Sequence, residues 1–146
     1  MSTLSPAAFI VSWLNSVSAI TTNVSGRIST ILQPDAGFPQ IWVGDVSAPI
    51  TATDGASVSR IETWTVPIYC MAGRRASQMD DLPDNATAWA TSALVVAAMS
   101  DLDSAHYVGT GYTIANGVVL SRTPNVAAGN FARVLVNARF SVWRTI

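Results

Sequence analysis

Val134-Leu135-Val136-Asn137-Ala138-Arg139-Phe140-Ser141-Val142-Trp143 is the stretch whose reading decides the fold. Val134, Val136, Ala138, Phe140 and Val142 alternate with Leu135, Asn137, Arg139, Ser141 and Trp143. Successive side chains of a strand point to opposite faces, so one face is wholly apolar and the other mixed. That is the pattern of an antiparallel sheet covered on one side only. The strand is expected from Phe131 to about Arg144. A second long strand, Arg60 to Met71, shows the same alternation: Ile61, Thr63, Thr65, Pro67, Tyr69 and Met71 on one face, Arg60, Glu62, Trp64, Val66, Ile68 and Cys70 on the other. Pro67 has no N–H for a ladder, which places it at an edge or a bulge, and an edge is open to another subunit.

Upstream, Ser5-Pro6 is a helix opening, a capping hydroxyl followed by the residue favoured at the first helical position. Ile10, Trp13 or Leu14, Val17, Ile20 and Val24 recur at helical spacing, which predicts one amphipathic helix over about 6–22, ending before Gly26. A second helix is expected over about 84–102, and its apolar run Ala93 to Met99 predicts a buried segment. Pro39 to Gly44 reads as a short strand. Tyr112 to Ile114 and Gly117 to Arg122 read as two more, separated by the turn signal Asn116-Gly117. Ser47 to Ser59 has no periodicity and is expected to be a long loop or a mobile hairpin arm. The sum is a single α+β domain over 1–146: a mainly antiparallel sheet of about four to five strands with two helices packed on one face.

Composition narrows the function. Only 12 per cent of the 146 residues are charged, about half the usual fraction, while 49 per cent are hydrophobic. A surface so poor in charge is expected to be covered in part by other subunits. The eight basic residues are all arginine, which GC-rich coding explains more simply than arginine chemistry. A net charge of −1 speaks against sequence-independent nucleic-acid binding. Met1 to Leu4 lacks a basic signal-peptide start, and Ala93 to Met99 falls far short of the ~20 apolar residues that span a bilayer. The expectation is a soluble protein made in a reducing cytoplasm, without a membrane partner. The single Cys70 closes no intrachain disulfide and reads as a small core filler.

No constellation of reactive residues stands out. His106, near Asp101 and Asp103, is read as part of a solvated helix end before it is read as a general base. Asp80, Asp81 and Asp84 match no calcium loop and read as a helix-start charge cluster. Gly109-Thr110-Gly111 lacks the third glycine and the flanking strand and helix of a phosphate loop. The expectation is therefore no enzyme, no cofactor and no metal. The residues singled out for subunit or partner contact are Arg74 and Arg75, whose loop can meet Asp80 and Asp81 of a neighbour, together with Pro67, Arg60 and Asp54.

The order of these elements resembles the tail terminator (tail completion) proteins of long-tailed bacteriophages. The likeness rests on the N-terminal helix and the short strand Phe38-Pro39-Gln40-Ile41-Trp42-Val43-Gly44. After these come a loop, a long strand ending near Arg74-Arg75, one helix, and a closing hairpin ending in Val134 to Val142. The resemblance implies a virion subunit, assembled in the host cytoplasm, that forms a ring, expected to be hexameric. The ring caps the tail tube protein, ends tail polymerisation and meets the head-tail connector or head-closure protein. Phage DNA passes through such a ring without sequence-specific contact. Another neck or tail component, such as a head-closure, joining or minor tail protein, shares this composition and stays open as the alternative.

Overall fold

The computed structural model describes residues 5–33, 37–47, 50–53, 59–73, 85–109, 111–126 and 132–145, and of 50–53, 59–60, 85, 125–126 and 145 the backbone alone. Among the described residues three helices, α1 (Pro6–Asn15), α2 (Ser18–Val24) and α3 (Asn85–Asp101), accompany seven strands. The strands are β1 (Ile28–Ser29), β2 (Gln40–Val43), β3 (Ile50–Thr53), β4 (Ser59–Ala72), β5 (Tyr107–Val108), β6 (Tyr112–Val126) and β7 (Ala132–Thr145). Their order in the one sheet is β1-β2-β4-β7-β6-β5, with β3 beside β4 on the flank that β2 also uses. The α+β class is as expected. The sheet is larger than the expected four to five strands, its β1–β2 pair is parallel, and there is a third helix.

The long alternating stretches lie where the pattern put them. β4 and β7 pair antiparallel from Ser59↔Thr145 to Ala72↔Ala132. Glu62, Trp64, Val66, Ile68 and Cys70 of β4, and Val134, Val136, Ala138, Phe140 and Val142 of β7, are buried on one face. The helices cover that face. Phe9 of α1 meets the Trp64 ring edge-on at 6.1 Å, Trp13 meets Phe140 at 5.4 Å, and α3 packs across β4, β6 and β7.

Local chemistry sets the helix ends. Ser5 caps α1 by accepting from the Ala8 N–H at 3.2 Å, with Pro6 in the first turn. The single helix expected over 6–22 is two, bent by 92°. The Ser16 hydroxyl donates back to the Trp13 carbonyl at 2.6 Å, and Val17 is extended (φ −95°, ψ 107°), so the chain turns before α2 begins. The apolar spacing runs unbroken through the bend because Val17 also packs against the core. α2 ends in left-handed Ser25 and Gly26 (φ 73°), as the glycine suggested. Among the described residues no single helix is long and apolar enough to cross a membrane.

Two further expectations are corrected, and a third, the edge-or-bulge reading of Pro67, resolves to one of its alternatives. α3 is not buried on every side: Ala88, Thr91, Ser92, Val95, Ala98 and Met99 are buried, while Ala93 and Ala97 are exposed. Alanine suits an exposed helix position by propensity alone, so an apolar run there does not require burial. Asn116-Gly117 is no turn; β6 continues through it, with register slips between Ile114 and Asn116 and between Val119 and Ser121. A Cβ on Gly117 would stand 2.9 Å from Met99 Cε and 3.0 Å from Phe140 Cδ1, so the glycine supplies room. Pro67 is not on an edge strand, because β4 is flanked by β7 on one side and by β2 and β3 on the other. It lies at a bulge, the other site the missing N–H allows. The register slips by one residue between Val43↔Ile68 and Ser47↔Thr65, while the Pro67 carbonyl accepts from the Gly44 N–H at 2.9 Å. Within 47–59, expected as a long loop or mobile hairpin arm, residues 50–53 form β3, which pairs with Arg60–Glu62 of β4, while 48–49 and 54–58 lie outside the described residues.

Candidate interaction surface

Among the described residues no helix covers the strands' other face. It is the mixed face of the alternation: Ile61, Thr63, Thr65, Pro67 and Tyr69 from β4, and Arg133, Leu135, Asn137, Arg139, Ser141 and Trp143 from β7. All are exposed or half-buried. At one end Trp42 stacks on Tyr69 (centroids 4.0 Å apart, planes 10° apart), and the Arg133 guanidinium lies 5.3 Å from the Tyr69 ring. The Trp42 indole N–H and the Arg133 Nε–H are both buried without an acceptor among the described residues. At the other end Ile61 lies opposite Trp143, which is 48% exposed, and His106 packs edge-to-face on Trp143 at 5.9 Å. Between them Asn137 Nδ2 donates to Ser121 Oγ at 3.1 Å, and exposed Arg139 sits opposite Val118. These strand positions contribute two arginines and no carboxylate.

The candidate contact residues are only partly placed. Arg60 lies in β4 opposite Arg144 of β7 and Thr53 of β3, and Pro67 sits at the bulge on the helix-free face. Asp54, Arg74, Arg75, Asp80 and Asp81 lie outside the described residues. His106 and Asp101 line a cleft with Trp13, Val17, Leu102 and Tyr107 beside the α1–α2 bend. Among the described residues no hydrogen bond or ion pair joins His106 to Asp101 or Asp103, and no group of three or more His, Cys, Asp or Glu side chains could hold a metal ion.

Two charged residues that the sequence reading passed over hold the core side together. Glu62 is buried, accepts from Trp64 Nε1 at 2.9 Å and pairs with Arg144 at 3.6 Å. A carboxylate on the apolar side of a strand's alternation was the visible signal. Arg122 of β6 lies over the Trp89 ring of α3 (3.5 Å to its centroid) and donates to Ser92 Oγ at 2.7 Å and to the Trp89 carbonyl at 2.8 Å. It ties the helix to the sheet where Trp89 is 42% exposed.

The chain shares its fold with a chain from the virion of a native gene transfer agent particle. The TM-score is 0.66 at 16% identity, over 96% of this chain and 99% of that one. At that identity the likeness speaks for the fold alone, and the near-complete coverage of both chains means that the whole domain is shared. No protein-family model and no curated protein matches the chain.

Proposed function

We propose that this protein is a structural virion subunit, not an enzyme, which assembles into a hexameric ring that caps the tail tube. The ring ends tail polymerisation and joins the tail to the head-side connector. The observation that carries the reading is the end-to-end fold likeness to a chain of a gene transfer agent virion. The element order that resembles tail terminators points to the finer position in the neck. A low-charge surface supports it further, with a helix-free sheet face and an outer α3 face bearing exposed Ala93, Ala97 and Trp89, since subunits of large assemblies bury such surface.

The test is the native mass of the purified protein across a range of concentrations, followed by binding to purified tail tubes and to head-side connectors. Six copies of the 15.4 kDa chain give about 92 kDa, the expected species, and it should bind tubes in preference to connectors or capsids. A chain that stays monomeric alone and on tubes overturns the ring. Binding to connectors without tubes would favour a head-closure role.

A further inference from the structure

We infer that copies of this chain associate head to tail through the two outermost edges of the sheet, the β5 edge of one copy meeting the β1 edge of the next. β1 and β5 end the strand order, and among the described residues each pairs with a strand on one side only. A strand paired on one side offers its other row of N–H and C=O groups to a further chain. Each edge also carries one of the two most exposed large apolar side chains among the described residues: Val108, 70% exposed, in β5, and Ile31, 63% exposed, just beyond β1.

The residues that lead into the two edges are opposite in charge. Exposed Asp101 and Asp103 lead into β5 at the C-terminal end of α3, where the helix dipole disfavours anions and no basic residue occupies the last turn. Arg27 immediately precedes β1. Its Nε donates to the Pro39 carbonyl at 3.0 Å, and among the described residues no carboxylate pairs with it. An isologous contact at the β5 edge would set these aspartates against their own copies. A heterologous contact sets them against Arg27, and heterologous contacts close into rings when the rotation allows. The occupant of each edge is thus a second copy of this chain. The inference rests on the ring reading above and adds which surfaces meet.

The experiment joins crosslinking to native mass. Ile31→Cys and Val108→Cys, singly and together, are treated with a bismaleimide carrying a flexible spacer. Cys70 is fully buried, with its thiol pushed up to about 12, and stays unreactive at neutral pH. The double variant should give crosslinked species beyond the dimer, and each single variant none. Reversing the β5 edge with Asp101→Arg and Asp103→Arg should abolish that series, and adding Arg27→Glu to the same chain should restore it. A native oligomer whose double variant yields no crosslinks beyond the dimer overturns the edge contact and leaves the ring standing. An open-ended series without a closed species supports the edge contact and overturns the ring. A monomer without crosslinks at any concentration overturns both.

Discussion

Cys70 shows how far one residue's surroundings decide its chemistry. It lies in β4 between Ile41 of β2 and Val134 of β7, with its side chain wholly buried. Burial pushes the thiol up to about 12, and the nearby positive charge of Arg122 pulls it back only in part. In an unfolded chain a cysteine ionises near pH 8.5. Between about 8.5 and 12 the native state therefore keeps a proton that the unfolded state gives up, and stability falls as pH rises through that window. The contribution is fully present below about pH 8.5, and each further pH unit removes up to about 1.4 kcal/mol. The expected outcome is a urea midpoint that drops more steeply between pH 8.5 and 11 in the wild type than in Cys70→Ala. Parallel slopes in the two proteins would show that Cys70 ionises as readily folded as unfolded.

Between elements, close packing takes over from charge. Gly109 follows β5 and hydrogen-bonds through its N–H to the Tyr112 carbonyl at 2.9 Å. A Cβ at Gly109 would lie 2.3 Å from Phe9 Cε1. That ring cannot swing away, because Trp64, Tyr107 and Tyr112 surround it with centroids 5.0 to 6.1 Å distant. Gly109→Ala should therefore cost about 1–3 kcal/mol, read as a lower urea midpoint, by forcing α1 off the β5–β6 turn. An unchanged midpoint would mean that α1 is loosely docked. The same contrast separates what the sequence disclosed from what it did not. β4, β7 and the bounds of α3 were legible because period-two and helical patterns extend over many residues. β1 and β5, two residues each, carry no period to read. The α1–α2 bend was hidden because Val17 keeps the apolar spacing while its backbone leaves the helix. Gly117 looked like a turn residue because the sequence cannot show Met99 and Phe140 pressing on it. Of the candidate contact residues, Pro67 was legible from its missing N–H as an edge or bulge position, without a choice between the two. The charged edges were not, since Arg27 and Asp101 become opposites only once the strand order is known.

At the scale of the whole molecule, a sheet whose described helices all cover one side can meet its copies by face or by edge. Face-to-face packing of two bare sheets about a two-fold axis would bring Arg133 and Arg139 toward their counterparts, with no carboxylate from the strands between them. Like charges brought together in a contact from which water is excluded cost several kcal/mol. That face therefore opposes self-association, whereas the β1 and β5 edges, entered by residues of opposite sign, favour it. Arg139 is exposed, so Arg139→Glu should shift folding stability by no more than about 0.5 kcal/mol. It should also leave the native mass and its concentration dependence as in the wild type, because the subunit contact lies at the edges. A folded Arg139→Glu protein that sediments as a new dimer, or loses the wild-type oligomer, would instead make the bare face the surface through which copies meet.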